Sequence, residues 1–214
     1  MAPDVVLDPA SSADAAAIRT VLAHAYRTNP LMVWALPDTA TREDACAAWL
    51  GPSVDRYLAV GRVLVARHHE RVVGVAAWRL PAAGPAPDSL PTPSGVLAAL
   101  LGRARAEEIL AALSSAASLA PAQPADYLNY LAVEPELQGR SIGTRLVEAG
   151  IADSDSAALG TYLGTTDPRN LPFYRRLGYV DAGATTLAPG GPVLTVLHRG
   201  QDPAGSANHM TVSP

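Results

Sequence analysis

A short glycine-bearing turn is the part of this 214-residue sequence whose residue types point most directly to chemistry. It reads Gln138-Gly139-Arg140-Ser141-Ile142-Gly143, and apolar residues at helical spacing continue it through Leu146, Val147 and Ile151. The first turn of a helix leaves backbone N–H groups without partners, and the helix dipole favours negative charge at that end. The turn is therefore predicted to bind an anionic group such as a phosphate.

The residues before the turn predict the strand that leads into it. Tyr127 to Val133 are largely aromatic and aliphatic, and Pro135 ends the run because proline has no N–H to give a sheet ladder. Two familiar phosphate-binding patterns do not fit this strand, turn and helix. The chain contains no lysine and no G-x-x-x-x-G-K-[ST], which excludes a P-loop, and the G-x-G-x-x-G of dinucleotide folds is absent as well.

The turn does resemble motif A of the GNAT (GCN5-related) N-acetyltransferases, Q/R-x-x-G-x-G/A, which cradles the pyrophosphate of acetyl-CoA. Gln138 and Gly143 match this motif, and Ser141 stands where the middle glycine is usual. A second block, Asp167 to Tyr179, resembles motif B, in which an asparagine and an aromatic pair precede L-G-[FY]. This block is most similar to the puromycin N-acetyltransferase-type members, and a weaker resemblance extends over roughly residues 4 to 199.

The resemblance implies a binding site for acetyl-CoA as cosubstrate, with no metal. Backbone N–H groups of the turn face the pyrophosphate, the strand backbone pairs with the pantetheine arm and orients the thioester carbonyl, and Asn170 hydrogen-bonds the same arm. The residues assigned in this way are Leu131, Ala132, Val133, Gln138, Gly139, Arg140, Ser141, Ile142, Gly143, Thr144, Asn170 and Phe173.

Tyr174 matches the general acid of the family. Its phenol, with an ordinary pKa of ~10, is close enough to a thiolate of pKa ~8.5 to give up a proton as sulfur leaves. The general base stays open: many members carry a glutamate on the fourth strand, where this sequence has Tyr127 beside Asp126, and Asp126 acting through water is one alternative. An alkyl ammonium of pKa ~10.4 is neutral only about one part in a thousand at pH 7, so the missing glutamate favours a weakly basic amine.

The acceptor amine is expected to contact Trp34, Tyr127 and Asn129, because in the family the region between the first two helices helps to wall the acceptor pocket. A long proline-rich insertion, residues 81–125, stands where many GNAT proteins have a short turn. Long loops in compact domains are often functional. Two interpretations remain open: a helical flap that covers one sheet face, or a lid over the acceptor.

The remaining elements are predicted from periodicity and from proline or capping signals. They are a strand at Val5 to Leu7, a helix from Ser11 or Ser12 to Ala25 that Asn29-Pro30 stops, a helix from Thr41 to Leu58 that Pro52 interrupts, a hairpin of Arg62 to Arg67 with Val72 to Leu80, a helix capped by Ser94, and a last strand at Val193 to Arg199.

Composition narrows the class of protein. A net charge of −4 with no run of arginines argues against nucleic-acid binding. Cys46, the only cysteine, is predicted to be a buried small residue, and a chain that cannot form an internal disulfide fits a reducing cytoplasm. No basic segment precedes an apolar run at the N-terminus, and no stretch approaches the length of a membrane span, so no membrane partner is expected.

Together these patterns predict an α/β GNAT fold, with a mixed, twisted sheet of six to seven strands flanked by helices. One acyltransferase domain is expected over residues 1–200 and a disordered tail over 201–214. The expected function is direct acetyl transfer to the primary amine of a small molecule, an antibiotic or a biosynthetic intermediate, by a monomer or homodimer. The alternatives are acetylation of a protein lysine or N-terminus, and a catalytically silent CoA-binding regulatory domain.

Overall fold

A computed structural model describes residues 4–200, so the predicted tail at 201–214 lies outside the described residues. The strands are β1 (Val6–Pro9), β2 (Arg62–His68), β3 (Arg71–Arg79), β4 (Ala125–Val133), β5 (Gly160–Thr165), β6 (Val180–Thr186) and β7 (Val193–Arg199). The helices are α1 (Ala15–Tyr26), α2 (Pro30–Ala35), α3 (Arg42–Val60), α4 (Pro93–Leu101), α5 (Arg103–Ser114), α6 (Ile142–Ser156) and α7 (Leu171–Arg176).

The seven strands form one sheet in the order β1-β2-β3-β4-β5-β7-β6. Neighbouring strands are antiparallel except β4 and β5, which run parallel because helix α6 carries the chain back between them. Helices cover both faces of the sheet: α1, α3, α4 and α5 pack on one, and α6 packs on the other. The predicted mixed sheet flanked by helices is confirmed.

The two parallel strands separate after a short stretch of pairing, and this opening organises the molecule. β4 pairs with β5 only from Ala125 to Leu128. Residues 129–133 of β4 continue beside β3 alone, so backbone groups on their other edge find no ladder partner on β5. Asn129 is skipped in the β3–β4 register, since Ala77 pairs with Tyr130 and Trp78 with Leu128. Such a β-bulge re-aims the strand and is common beside active sites.

The insertion is part of the core. Leu97 of α4 and Ile109 of α5 have no exposed surface and pack in the cluster that α1 and α3 form on the sheet. Burying two such side chains contributes about 1.5–3 kcal/mol each relative to exposure. Of the two interpretations, the helices of the insertion therefore agree with the flap that covers one face of the sheet. The segments that flank these helices border cavities described below.

The predicted end of the first helix is confirmed, since α1 ends at Tyr26, before Asn29-Pro30. Asn29 and Pro30 also begin α2, which was not predicted and whose first N–H groups need a cap. The Asn29 side chain accepts a hydrogen bond from the Leu31 N–H at 2.9 Å, and proline at the first helical position lacks only an N–H that has no intrahelical partner. The apolar patch that follows is thus helical.

Pro52 does not interrupt α3, which runs through it. Trp49, Leu50 and Val54 are buried on the same helix, and their packing outweighs the roughly 3 kcal/mol that an interior proline costs. The cap of α4 also differs from expectation. Thr92, not Ser94, accepts the hydrogen bond from the Gly95 N–H, at 3.1 Å.

Among residues 4–200, none of the helices has both the length and the apolar character that crossing a bilayer requires.

Candidate active site

The turn that precedes α6 has the geometry expected of an anion site. Gly139 and Ser141 both have positive φ, 74° and 62°, and α6 begins directly after them at Ile142. The Ser141 side chain makes no capping hydrogen bond. The first N–H groups of α6 are therefore left for another acceptor, at the positive end of a 15-residue helix. The Gln138 amide fastens the turn to the strand end by donating to the Val133 carbonyl at 3.0 Å.

Ser141 occupies a left-handed conformation that glycine adopts at lower cost. Its φ and ψ are 62° and 9°, and a residue with a Cβ there costs about 1–2 kcal/mol more than glycine. Its side chain is exposed and helps no packing in the turn. The fold itself therefore gives no reason for serine in place of the middle glycine.

Gly143 lies where the turn, the strand and α7 meet. A Cβ built on it would lie 3.7 Å from Phe173 Cζ, 3.8 Å from Val133 Cγ2 and 4.0 Å from Leu131 Cδ2. These are ordinary van der Waals contacts, so the protein alone would accept alanine at this position. The structure thus brings together four of the residues assigned to acetyl-CoA: Leu131, Val133, Gly143 and Phe173. Asn170, also assigned, is exposed just before α7.

Tyr174 is buried between Phe173 and Tyr179, with ring centroids 5.0 and 6.0 Å away. Burial raises the pKa of its phenol well above the ordinary value, and the hydroxyls of Tyr26, Tyr179 and Tyr127 raise it further. Tyr26 and Tyr127 belong to the α1 and α3 side of the sheet, whereas Tyr174 packs on the α6 side. The Tyr174 phenol therefore lies within electrostatic reach of phenols on the other side of the sheet. The raised pKa keeps the proton on this phenol at neutral pH, as a general acid must, but it also makes transfer of that proton to a thiolate of pKa ~8.5 less favourable than from an ordinary phenol.

The bulge in β4 exposes a backbone N–H to the same opening. Leu131 donates this N–H to the Tyr26 hydroxyl over 3.4 Å, a long hydrogen bond. Tyr26 is the last residue of α1 and was not predicted as a site residue. A tyrosine that ends an apolar helix stripe gives no sequence signal beyond packing.

The predicted acceptor contacts Tyr127 and Asn129 lie in a group of phenols on the α3 side of β4. The Asn129 amide donates to the Tyr57 hydroxyl at 2.9 Å, and the Tyr127 ring lies 4.7 Å from that of Tyr162. Burial raises the pKa of Tyr127 to about 12, and it also raises the pKa of Tyr57. These two phenols are therefore neutral at pH 7.

Two cavities open beside this group. The larger, about 480 Å³, is bordered by Tyr57 and Arg56 of α3 and by the start of the insertion at Pro81 to Gly84. The smaller, about 330 Å³, is bordered by Tyr162 and by residues 121–124 at the end of the insertion. Arg79 borders both. We call the larger one the acceptor cavity. Sequence reasoning missed Tyr57, Arg56 and Arg79, because helix and strand residues far apart in the chain form this wall together.

Trp34 does not border either cavity. Arg105 of α5 lies over its ring, 4.5 Å from the centroid, and donates a hydrogen bond to its carbonyl at 3.0 Å. The indole therefore holds the insertion against α2.

Asp126 is turned away from the phenols. Its carboxylate accepts hydrogen bonds from Arg62 at 2.9 Å and from the Ser154 hydroxyl at 2.7 Å, on the α6 side, and it is 1% exposed. Alternation along a strand puts neighbouring side chains on opposite faces, which explains why Tyr127 lies beside Tyr162 and Arg79 and Asp126 does not. Both hydrogen bonds end on Oδ2, whereas Oδ1 is buried without a partner, and the carboxylate lies on the side of the sheet away from the phenols.

Within the described residues, no group of three or more histidine, cysteine, aspartate or glutamate side chains is placed to hold a metal ion. A separate polar cluster joins the buried carboxylate of Glu134, at the end of β4, to His24 and Arg71 at 2.8 and 3.0 Å. It ties α1 to the strand from which the turn begins.

Comparison with known proteins identifies the domain that carries this site. Residues 96–181, from α4 into β6, match the acetyltransferase (GNAT) domain. Among solved structures, the chain is similar to a protein of Corynebacterium glutamicum described as histone acetyltransferase HPA2 and related acetyltransferase. That match has 27% identity and a TM-score of 0.69, and it covers 95% of this chain and 99% of the other.

More distant structures share the fold. Arylalkylamine N-acetyltransferase 2 of Aedes aegypti matches with 9% identity, a TM-score of 0.62, and coverage of 93% and 100%. The polyamine N-acetyltransferase of Drosophila melanogaster, which forms N-acetylagmatine, matches with 18% identity, a TM-score of 0.53, and coverage of 91% and 99%.

The matching domain, the sheet with its opening between β4 and β5, and the turn before α6 define the class: the chain carries a GNAT acetyltransferase domain at residues 96–181, has the fold of GNAT acetyltransferases and is an acetyl-transferring enzyme. The predicted superfamily is thereby confirmed.

Proposed function

We propose that this chain is an acetyl-CoA-dependent N-acetyltransferase of the puromycin N-acetyltransferase type, acting on the primary amine of a small molecule, an antibiotic or a biosynthetic intermediate. The observation that carries the proposal is the buried Tyr174 phenol, which packs on the α6 side of the sheet within electrostatic reach of Tyr26 and Tyr127. One domain over residues 1–200 and a cytoplasmic location, in keeping with the buried free thiol of Cys46, are part of the same proposal.

The residues present fit acetyl-CoA on two counts. The first N–H groups of α6 lack intrahelical partners, and Gly143 leaves room in front of them that a side chain would reduce. We assign the pyrophosphate to the turn, and the pantetheine arm to the free edge of β4 at 131–133, with Asn170 opposite. The cosubstrate supplies the acetyl group as a thioester.

The protein has to supply little covalent chemistry, because the acetyl group passes directly from the thioester to the amine. The amine nitrogen forms a bond to the acetyl carbon, the carbon–sulfur bond breaks, and the Tyr174 hydroxyl gives its proton to the departing sulfur. The amine loses its own proton to water, and Tyr174 is reprotonated from solvent. The Leu131 N–H is placed to polarise the carbonyl, once the weak bond to Tyr26 is exchanged for it.

A small acceptor is favoured over a protein chain because residues at both ends of the insertion border the cavities and narrow the approach. The acetyltransferases of Aedes aegypti and Drosophila melanogaster named above act on small amines, which agrees with this choice.

Thiol release from acetyl-CoA in the presence of a panel of primary amines tests the proposal. Amine-dependent release, with the acetylated amine detected by mass spectrometry, is the expected result. Tight acetyl-CoA binding without release for any small amine, peptide lysine or peptide N-terminus would instead support the regulatory alternative.

The pH dependence of kcat/KM is expected to follow the pKa of the acceptor amine and not the pKa of a group on the enzyme. No carboxylate or imidazole borders the acceptor cavity in the described part of the chain, and Asp126 is hydrogen-bonded to Arg62 and Ser154 on the α6 side. Only the neutral amine attacks, so kcat/KM should rise about tenfold per pH unit up to the amine's own pKa. Two acceptors whose pKa values differ by about two units separate the cases. Profiles that break at the same pH for both would reveal an enzymic base.

The Ser141 hydroxyl is proposed to donate a hydrogen bond to a phosphate oxygen. Ser141→Gly should then relieve the left-handed strain and raise the melting temperature, yet weaken acetyl-CoA binding three- to tenfold, roughly 0.7–1.4 kcal/mol. Calorimetry beside thermal unfolding measures both effects. Tighter binding in the variant would show that serine only obstructs the turn.

A further inference from the structure

The acceptor cavity and the smaller cavity beside it have an unusual charge balance. Among the described residues that border them, two are arginines, Arg56 and Arg79, and none is an aspartate or glutamate. The phenols around them are neutral at pH 7, because burial raises the pKa of Tyr57 and of Tyr127. Two positive charges therefore face a wall that is otherwise apolar or neutral. The protein supplies no counter-charge there.

Within residues 4–200, the Arg79 guanidinium makes its hydrogen bond and its ring contact with aromatic side chains. Its guanidinium donates to the Tyr162 hydroxyl at 2.8 Å and lies 4.9 Å from the centroid of the Tyr127 ring. Burial lowers the pKa of Arg79, but the phenols of Tyr162, Tyr57 and Tyr127 outweigh it, so the guanidinium stays charged. A guanidinium has five N–H donors in a planar fork, and one phenol leaves most of them free for a carboxylate or phosphate.

The Arg56 guanidinium has fewer polar partners than that of Arg79. It makes no ion pair among the described residues, although most arginines of the chain do. Its Nε atom is buried and has no hydrogen-bond partner. Its neighbour Asp55 is already engaged, since both carboxylate oxygens accept from Arg19 at 2.6 Å. Leaving a buried charged donor unpaired is costly unless a ligand completes it.

These observations concern the specificity of the site proposed above and rest on that function. We infer that the acceptor is an amphoteric molecule, a primary amine that also carries an anionic group, carboxylate or phosphate, which Arg79 and Arg56 bind in the acceptor cavity. Cationic polyamines would meet two like charges in the same place, which disfavours them.

The register of the sheet sets how far apart the two groups of the acceptor lie. Arg79 pairs with Tyr127, and the Leu131 N–H, to which the acetyl carbonyl is assigned, lies four residues further along β4. Four strand residues span about 13 Å. The anionic group and the amine are therefore separated by several bonds, which excludes simple α-amino acids and favours ω-amino carboxylates, aminoalkyl phosphates or larger molecules of that pattern.

The test compares acceptors matched in length and different in charge: ω-amino carboxylates, aminoalkyl phosphates, amino alcohols and diamines. At low ionic strength, kcat/KM for the best anionic amine should exceed that of its amino alcohol at least tenfold, with diamines the poorest. Comparing carboxylate with phosphate identifies the anion. In Arg79→Gln the anionic-to-neutral ratio should fall about tenfold, and in Arg56→Gln by a smaller factor, mainly through KM.

Arg103→Gln is the matched control. Arg103 is exposed at the start of α5 and borders neither cavity. The Arg103→Gln variant therefore removes the same charge and should leave the anionic-to-neutral ratio unchanged. Equal or better turnover of amino alcohols or diamines by the wild type would overturn the inference, and so would an unchanged ratio in folded Arg79→Gln.

Failure of the function itself gives a different result. If no amine is acetylated, calorimetry on the CoA-bound protein still decides the inference. Binding of the ω-amino carboxylate or phosphate that is lost in Arg79→Gln supports an anion site, and no binding, or binding that Arg79→Gln leaves unchanged, refutes it.

Discussion

Tyr174→Phe is expected to lower kcat about a hundredfold while leaving acetyl-CoA affinity and stability nearly unchanged. The ring is buried against Phe173 and Tyr179, and phenylalanine keeps those contacts. Only the proton offered to the departing sulfur is lost, and a positioned acid contributes roughly 10²–10⁴ in rate. Equal falls in kcat and kcat/KM would place the loss in the transition state.

Tyr179→Phe provides a matched control for this variant. The Tyr179 hydroxyl accepts a buried hydrogen bond from Thr161 at 2.9 Å. Its loss should cost about 1 kcal/mol of stability without changing kcat. The comparison is completed by measuring kcat at saturating acceptor and the melting temperatures of both variants. Wild-type turnover in Tyr174→Phe would reduce this tyrosine to a packing residue and leave sulfur to take its proton from water.

Gly143→Asp should weaken acetyl-CoA binding at least tenfold and up to several hundredfold. A carboxylate about 4 Å from a phosphate is repelled by roughly 1–4 kcal/mol, depending on how much water remains between them. The same carboxylate lies in the first turn of α6, where the helix dipole stabilises negative charge by ~0.3–1 kcal/mol. The variant is therefore expected to bind the donor less well and yet to unfold at a temperature no lower than wild type.

Two further variants separate charge from bulk at this position. Gly143→Ala adds a Cβ that the protein can hold, since its nearest neighbours would be 3.7 Å or more away. Gly143→Asn matches the size of aspartate without its charge. We expect a few-fold loss for alanine and an intermediate loss for asparagine. Unchanged calorimetric affinity in a folded Gly143→Asp would remove the turn from the donor site.

What the sequence determined lies in contiguous segments, where local physics is sufficient. The strand before Pro135, the turn and α6 follow one another directly, and an exposed helix N-terminus binds anions in any surrounding structure. The hairpin of β2 and β3 and the last strand were also predictable, because alternation of side chains is a local pattern. The end of α1 before Asn29-Pro30 was predictable in the same way. The continuation of α3 through Pro52 was not, since tertiary packing outweighed the signal of proline.

The tertiary structure alone decided which faces of those elements meet. The bulge at Asn129 depends on pairing with β3, and it puts Leu131 N–H beside a tyrosine from α1. One step of strand alternation turned Asp126 toward Arg62 and Tyr127 toward Arg79. Arg56 and Arg79 both border the acceptor cavity although they come from α3 and β3. The chemistry of the donor was thus readable from neighbours in sequence, whereas the chemistry of the acceptor arises from neighbours in space, which no spacing in the chain encodes.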